Sequence, residues 1–321
     1  MTDIVFEGLD TFATVLLNGT EILKSENMFV SHRVNISGLL KDENVLEITF
    51  DSAMLQGREL VKEHSHEHVF YVRQTDIGRM PVRKAQYHWG WDWGPILTTA
   101  GPWRPVYLEQ YQVRIADVWA QMEVSPDLKT CSGRLFATVD GAAAGSQKVT
   151  LSLGLDGKTI FEKVCDVDEN GLVQAELALS GPQLWYPHGY GPQTRYELKA
   201  TVDSYDTKSK LIGFRRTELI QEEDDYGKSF YFRINGHDVF AGGSCWVPGD
   251  SFVSQISAQR YRDWMKLMVE GNQIMVRVWG GKFILFQHRR LHCEFSTPIT
   301  TPPEHISHPA ESSCYQLLIN Y

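Results

Sequence analysis

The sequence predicts a mainly β chain, with two all-β domains followed by the start of a β/α domain. Three observations carry this prediction: short β-branched runs near the beginning, period-two alternation through the middle, and a strand–loop–helix–strand order after about residue 216. A length of 321 residues favours two or three domains. With 42% hydrophobic and 12% aromatic residues, the chain can build packed cores, which excludes a disordered protein.

The first hundred residues predict short strands. Residues 4–6 and 14–17 are apolar runs rich in β-branched side chains, and the Asn-Gly pair at 18–19 is the strongest short hairpin signal. Residues 45–50 alternate with period two, and residues 105–109 predict the strand that ends this domain. The first strand starts almost at Met1, so either the domain begins abruptly or upstream sequence is missing.

Residues 51–85 are more polar, and residues 54–67 favour a helix. The run at 64–68 (HSHEH) allows a metal-site interpretation, because His64 and His68 would share one face of a helix and all three histidines one face of a strand. A solvated histidine-rich turn is the alternative that we favour, since no further ligand or supporting partner is well placed. We therefore expect no metal and no cofactor.

Chemistry concentrates in residues 86–95 (QYHWGWDWGP) and 101–105 (GPWRP). Three of the nine tryptophans fall within five residues, and Asp92 lies between Trp91 and Trp93. Flat aromatic faces stack on the C–H faces of sugar rings, and a carboxylate accepts two sugar hydroxyls at once, so the pattern indicates carbohydrate. The alternative is an aromatic packing cluster, because tryptophan is usually buried. Such a cluster does not need a carboxylate, whose burial without partners costs on the order of several kcal/mol.

Four basic residues lead into this motif: Arg73, Arg79, Arg83 and Lys84. An arginine here either pairs with Asp92 and keeps its carboxylate ionised, or simply lies on the surface. The residues alone leave both alternatives open.

Residues 113–215 predict a second all-β domain. Four of its segments alternate with period two: 118–124, 133–139, 149–153 and 172–177. Their spacing is that of a small β-sandwich of the immunoglobulin type, and residues 141–146 read as a loop between strands. The aromatic turn at 185–192 (WYPHGYGP) is interpreted as an inter-domain packing corner rather than a second sugar site.

After residue 216 the character of the chain changes. The Asn-Gly pair at 235–236 predicts a hairpin, and Ser257 is a suitable N-cap for a helix that ends near Glu270. Residues 273–278 (QIMVRV) are mostly apolar, as expected of a strand buried in a parallel sheet. Together these segments make one β/α unit and begin a second, and such units close into a barrel only in eights.

Residues 282–321 differ in kind from the rest, because they contain neither glycine nor aspartate but four prolines and four histidines. They carry no periodic apolar face. We predict a tail that is disordered and unrelated to the preceding sequence, as a read-through intron, a shifted frame or a mis-joined gene would produce.

Charge and cysteine usage limit the partners and the compartment. A net charge of −9 disfavours nucleic acid and anionic membranes as partners. The five cysteines are odd in number and widely spaced, which indicates free thiols in a reducing compartment. The first residues do not form a signal peptide and no stretch reaches transmembrane length, so a cytoplasmic location is expected. The oligomeric state is not predicted.

The order of parts and their motifs resemble the β-mannosidases of glycoside hydrolase family 2, in particular the intracellular fungal type. The resemblance extends over residues 1–281 and rests on the motifs at 86–95 and 101–105 and on three further segments: 184–191 (LWYPHGYG), 245–252 (CWVPGDSF) and 276–281 (VRVWGG). It implies a chain truncated at both ends relative to the family.

The resemblance implies a partial jelly-roll sugar-binding domain at 1–109 and an immunoglobulin-like β-sandwich at 110–216. It further implies the first β/α units of an incomplete (β/α)8 barrel at 217–281, with the unrelated tail at 282–321. The implied activity is removal of terminal, non-reducing β-D-mannose from β-mannoside oligosaccharides with retention.

The resemblance also implies roles for single residues. Asp92 and Trp103 match residues that reach from the jelly roll into the barrel pocket, where the first accepts sugar hydroxyls and the second walls the ring. Trp279 would form another wall, at the end of the second barrel strand. Three further substrate-binding candidates follow by position: Trp91, Trp246 and Asp250. Cys245 and Gly249 depart from the Asn and Ala usual in the family, a change expected to loosen the first barrel loop.

No catalytic residue is assigned. A retaining glycosidase uses two carboxylates roughly 5–5.5 Å apart. In this family the acid/base glutamate follows an asparagine at the end of the fourth barrel strand, and the chain contains no Asn-Glu pair. We therefore expect this chain to be inactive by itself. The alternatives are a non-catalytic carbohydrate-binding β-sandwich protein and a purely structural scaffold.

Overall fold

The computed structural model describes residues 1–72, 75–141, 147–278 and 316–318. The described chain forms two compact units. The first contains Met1–Tyr111 together with Val247–Ser257, and the second contains Gln112–Trp246 and Ala258–Val278. The segment Val247–Ser257 follows a strand of the second unit and yet packs with the first.

The first unit is built from short strands around one helix. Its sheets have the strand orders β10-β1-β5 and β4-β3-β6, with the small pairs β2-β9 and β7-β8. Its elements are β1 (Thr2–Phe6), β2 (Leu9–Asp10), β3 (Ala13–Leu17), β4 (Thr20–Ser25), β5 (His32–Asn35), β6 (Leu46–Phe50), α1 (Ala53–Glu63), β7 (Trp89–Trp91), β8 (Gly94–Ile96), β9 (Gly101–Pro102) and β10 (Val106–Gln110).

Local sequence explains these elements. The hairpin β3–β4 turns at Asn18 and Gly19, whose φ angles of 53° and 80° suit a two-residue turn, so that prediction is confirmed. Helix α1 begins after Ser52, whose side chain accepts the Leu55 N–H. The helix ends at Glu63, four residues before the predicted end. His64 and His68 therefore lie beyond the helix, in a turn that is not a strand either, so neither geometry considered for a metal site is present.

The second unit begins with the immunoglobulin-like sandwich, which confirms the predicted fold. Its two antiparallel sheets have the orders β11-β12-β15 and β14-β13-β16-β17, with the alternating apolar side chains of both forming one core. The strands are β11 (Arg114–Val124), β12 (Thr130–Asp140), β13 (Lys148–Leu155), β14 (Lys158–Asp166), β15 (Leu172–Ser180), β16 (Tyr196–Val202) and β17 (Asp206–Ile212). Of the predicted loop 141–146, all but Gly141 lies outside the described residues.

The rest of the second unit contains the predicted β/α unit. Strands β23 and β24 are parallel, with α2 between them in the chain, and β25 pairs antiparallel with β24. The elements are β18 (Thr217–Ile220), β19 (Glu223–Asp224), β20 (Gly227–Lys228), β21 (Tyr231–Ile234), β22 (His237–Val239), β23 (Gly243–Trp246), α2 (Ala258–Glu270), β24 (Met275–Val278) and β25 (Gln316–Leu318). Strand β25 lies within the predicted tail, whose other residues lie outside the described ones.

The aromatic turn after β15 packs against the hairpin β21–β22. Trp185 is 2% exposed, and its carbonyl oxygen accepts the Asn235 amide at 2.9 Å. Arg215 lies over the Trp185 ring at 5.1 Å, and burial lowers the pKa of this guanidinium to about 10. Tyr186 and Tyr190 both contact the His237 ring. These contacts favour the packing corner over a second sugar site.

Candidate functional site

The tryptophan motif forms a tight hairpin in the first unit. Strands β7 and β8 pair through Trp89–Ile96 and Trp91–Gly94, which places Asp92 and Trp93 at the turn. Trp89 is 1% exposed and packs with Ala53 and Val82. The packing interpretation therefore holds for Trp89, whereas Trp91 and Trp93 are only half-buried.

Asp92 is exposed at the tip of this hairpin. Among residues 1–72, 75–141 and 147–278 its carboxylate makes no hydrogen bond and no ion pair. A carboxylate has two oxygens that each accept hydrogen bonds. Asp92 therefore presents unused acceptors at a turn that half-buried indoles flank on both sides.

Arg79 does not pair with Asp92. Its guanidinium carbon lies 5.0 Å from the centroid of the Trp91 ring, as in a cation–π contact. Within the described chain its Nε and Nη1 atoms are buried without hydrogen-bond partners, and burial lowers the pKa of this group. Arg83 is exposed, and Arg73 lies outside the described residues. The arginine–Asp92 pair is therefore wrong for both described arginines.

Trp93 and Trp103 pack on one small cluster of buried residues: Met28, Ala85 and Tyr87. The Trp93 and Tyr87 rings lie 5.5 Å apart, and Trp103 Nε1 donates to the Met28 carbonyl oxygen at 2.7 Å. The Trp103 ring covers Gly8 so closely that a Cβ there would lie 2.4 Å from Nε1. Trp103, predicted to wall a sugar ring, is thus anchored on one side and half-exposed.

A buried ion pair lies beside the hairpin. Lys84 and Asp10 have side chains only 0% and 2% exposed. Lys84 Nζ donates to both Asp10 oxygens, at 2.6 and 2.5 Å, and to the Thr99 carbonyl oxygen at 2.8 Å. Asp10 also accepts the hydroxyls of Thr11 at 2.5 Å and Thr99 at 2.6 Å. Burial lowers the pKa of Lys84, and Asp10 opposes part of that lowering.

His88 extends this network to the segment that follows β23. Its Nδ1 atom lies 3.4 Å from Thr99 Oγ1, and its Nε2 atom lies 2.8 Å from the Ser251 carbonyl oxygen. Because a carbonyl oxygen only accepts, Nε2 must carry a hydrogen. Burial and the charge of Lys84 lower the pKa of His88, although Ser251 and Asp10 act in the opposite sense. These shifts favour a neutral imidazole with its lone pair on Nδ1.

The segment 247–257 approaches the hairpin at two further points. A Cβ on Gly94 would lie 3.9 Å from Ser251 Oγ, and Val253 packs on the cluster that holds Trp93. Asp250, a predicted sugar contact, is exposed and accepts the Phe252 N–H at 2.8 Å. The structure thus brings Trp91, Asp92, Trp103 and Asp250 into one compact unit.

The predicted contact Trp246 packs within the second unit. Trp246 is 7% exposed at the end of β23, and its ring contacts Tyr261 and Trp264 of α2 at centroid distances of 6.0 and 5.3 Å. This packing accounts for its burial without a ligand, so a substrate role for Trp246 stays a prediction. Trp279 lies outside the described residues.

Sequence reasoning missed most of the buried network. Asp10 and Lys84 are 74 positions apart in the chain, and only the folded structure pairs them. Lys84 stood out solely as one of several basic residues before the motif. No signal marked Asp10 or Thr99. Among the described residues, no group of three or more side chains could hold a metal ion, and no helix has the length and apolar character needed to cross a membrane.

Comparison with protein families agrees with this architecture. Residues 1–104 match the model described as a glycosyl hydrolase 2 galactose-binding domain-like domain. Residues 113–215 match the model described as glycosyl hydrolases family 2. Through these two domains the chain belongs to glycosyl hydrolase family 2.

Within that family the chain is similar to β-mannosidases. It is 48% identical to Beta-mannosidase B from Aspergillus oryzae over 285 residues, which are 87% of this chain and 34% of the relative. Beta-mannosidase B from Thermothelomyces thermophilus is also 48% identical, over 286 residues that are 87% of this chain and 33% of the relative. The chain thus spans about a third of the length of these curated relatives.

Solved structures show the same likeness. The crystal structure of Beta-D-Mannosidase from Dictyoglomus thermophilum matches with a TM-score of 0.78 and 31% identity, over 87% of this chain and 35% of that one. The exo-chitosanase of Amycolatopsis orientalis matches at 0.59 with 19% identity, over 87% of this chain and 31% of that one. The second match shows a shared fold alone.

Proposed function

We propose that this chain is the sugar-recognising part of a glycosidase that removes terminal, non-reducing β-D-mannose from β-mannosides with retention. The observation that carries the proposal is the 48% identity to Beta-mannosidase B over 87% of the chain. The exposed Asp92, whose oxygens are unused within the described chain, supports it. A β-mannoside oligosaccharide is the proposed partner, with no nucleic acid and no membrane involved.

In this proposal Asp92 accepts hydroxyls at one edge of the mannose and Trp103 forms a wall of its site. Trp91 and Asp250 contribute from the same compact unit. Trp246 and Trp279 remain proposed contacts from the barrel segment. We also propose that the protein acts in the cytoplasm, because Cys131, Cys165 and Cys245 are free thiols and free thiols suit a reducing compartment.

The activity is tested by a chimera in which residues 1–278 of this chain replace the matching part of Beta-mannosidase B from Aspergillus oryzae. We expect it to hydrolyse a chromogenic β-mannoside, and we expect Asp92→Ala to lower kcat/KM about 10- to 10²-fold, as loss of a charged hydrogen bond to substrate would. Asp42→Ala, a change at another exposed carboxylate of the first unit, serves as the matched control. A folded chimera without β-mannosidase activity would contradict the proposal.

The 321-residue chain alone separates this proposal from a binding module. We expect no turnover above a blank and almost no affinity for mannosides by calorimetry, since a barrel would supply both the glutamates and the remaining walls. A lectin-like protein would instead bind a mannoside measurably and lose that affinity in Asp92→Ala.

A further inference from the structure

We propose that the buried side chains of Asp10, Lys84 and His88, together with the half-buried Thr99, form a positioning network that holds residues 247–257 against the tryptophan hairpin. The inference rests on the proposed function, because it concerns how two sugar-facing segments keep a common geometry. His88 is the positioning residue at the end of the network, and the Ser251 carbonyl oxygen is the group that it holds.

The network has one consistent set of proton positions. Thr99 Oγ1 donates its hydrogen to Asp10 Oδ2 at 2.6 Å and can accept from Lys84 Nζ at 3.2 Å. His88 Nδ1 lies 3.4 Å from that hydroxyl and 4.0 Å from Asp10 Oδ2. Its Nε2–H then donates to Ser251 O at 2.8 Å. Since Thr99 gives its one hydrogen to Asp10, Nδ1 lies against that hydroxyl without receiving a hydrogen, and the donor side of the imidazole faces residues 247–257.

Rigidity is what the arrangement adds. Exposed loops normally adopt several conformations, and each ordered side chain loses entropy on binding a ligand. Here the hairpin and residues 247–257 are joined by the His88–Ser251 hydrogen bond, the approach of Ser251 to Gly94, and the packing of Val253. Of these three contacts, only the His88–Ser251 hydrogen bond involves a residue of the network. These three contacts restrict both segments before a sugar arrives.

Among the described residues, the charged neighbours of His88 are Lys84 and Asp10, and the titratable Tyr87 also contacts it. Its uncharged contacts are the Thr99 hydroxyl, the Ser251 carbonyl oxygen and the Tyr87 ring, whose centroid lies 4.7 Å from that of the imidazole. Protonation would place a hydrogen on Nδ1 and a second positive charge beside Lys84. Nε2 keeps its hydrogen in both protonation states, so the contact with Ser251 does not depend on the charge of His88. In His88→Gln the side-chain amide can donate in place of Nε2, so we expect the contact to be kept.

Hydrogen exchange on the 321-residue chain tests the proposal. In His88→Phe, amides of residues 247–257 should exchange on the order of tenfold faster, because the Ser251 carbonyl oxygen loses its donor. In His88→Gln, whose amide can donate in place of Nε2, protection should largely return. Peptides spanning β3 and β4 serve as the internal control in the same unit.

Faster exchange confined to residues 247–257 and rescued by glutamine supports the positioning role. Unchanged exchange there, or a uniform rise that includes the control peptides, overturns it. Nitrogen NMR of the unmutated chain gives an independent arm: a neutral His88 protonated on Nε2 supports the proposal, and protonation on Nδ1 alone overturns it. Neither the hydrogen-exchange nor the NMR measurement contains a sugar. A negative result in them leaves the mannosidase proposal unaffected, and an inactive chimera leaves the positioning role of His88 unaffected.

Discussion

Replacing Lys84 by methionine removes the only charge that neutralises Asp10 at close range in the described chain. Both side chains are essentially fully buried, and four hydrogen bonds converge on the Asp10 carboxylate, from Lys84, Thr11 and Thr99. Breaking a buried pair from one side costs about 3–5 kcal/mol, because the remaining charge is left uncompensated. A domain is stable by only about 5–15 kcal/mol, so the loss is a large share of the free energy of unfolding.

The assay is urea unfolding of the 321-residue chain, followed by tryptophan fluorescence. With a urea dependence of about 1–3 kcal/mol per molar, the midpoint of the first unit should fall by at least about 1 M in Lys84→Met. Lys24→Met is the matched control in the same unit, since the Lys24–Glu21 pair is 69% and 49% exposed. Such an exposed pair contributes below about 1 kcal/mol.

A second variant isolates the charge. The double change Lys84→Met with Asp10→Asn should recover part of the stability, because it removes both members of the pair. A Lys84→Met chain that unfolds within about 1 kcal/mol of the Lys24→Met control would refute the reasoning. So would a double variant that is less stable than the sum of its single changes.

Three further predictions concern separate sites. The pKa of His88 is lower in the folded chain than in the unfolded chain, so the unfolded chain binds more protons and the free energy of unfolding should fall as pH drops below about 6.5. Urea unfolding at several pH values should show a weaker pH dependence in His88→Gln. An unchanged pH dependence would contradict this. Gly8→Ala should displace the Trp103 ring and destabilise the first unit by about 1–3 kcal/mol, which thermal unfolding measures, whereas an unchanged melting temperature would show the contact to be soft. Burial raises the pKa of Cys131 to about 11, so peptide mapping after iodoacetamide should find exposed Cys245 labelled well before it, and equal labelling would count against the described burial.

Much of the fold follows from local patterns. The hairpins at Asn18-Gly19 and Asn235-Gly236 depend on the left-handed backbone that those residues adopt easily, and the structure has it at all four positions. The four alternating segments of the sandwich became strands because alternation buries one face of each. Helix α1 ends at Glu63, earlier than predicted, because the residues between Glu63 and the predicted end continue no apolar face. Helix ends are the part of a helix that a sequence pattern locates least well.

The candidate site was predictable only where its residues are adjacent in the sequence. Trp91, Asp92 and Trp93 stand together in the chain, so composition alone marked them. Whether an arginine would pair with Asp92 depended on side-chain directions that no local pattern specifies, and Arg79 turned to the Trp91 ring instead. Trp246 shows the same limit, because a strand residue faces either the barrel interior or its helices, and the observed contacts are with α2.

Asp10 and Asp92 show how two carboxylates of one compact unit take different roles. Asp10 is buried with its oxygens occupied by lysine and threonine donors, so it has little capacity left for a ligand. Asp92 is exposed at a hairpin tip with no partner among the described residues, so its carboxylate oxygens remain open to solvent. A sugar hydroxyl that meets Asp92 displaces water rather than a protein donor. Asp10, whose oxygens are occupied, therefore has a structural role beside the hairpin. Asp92, whose oxygens are unoccupied within the described chain, is the group suited to recognise a ligand.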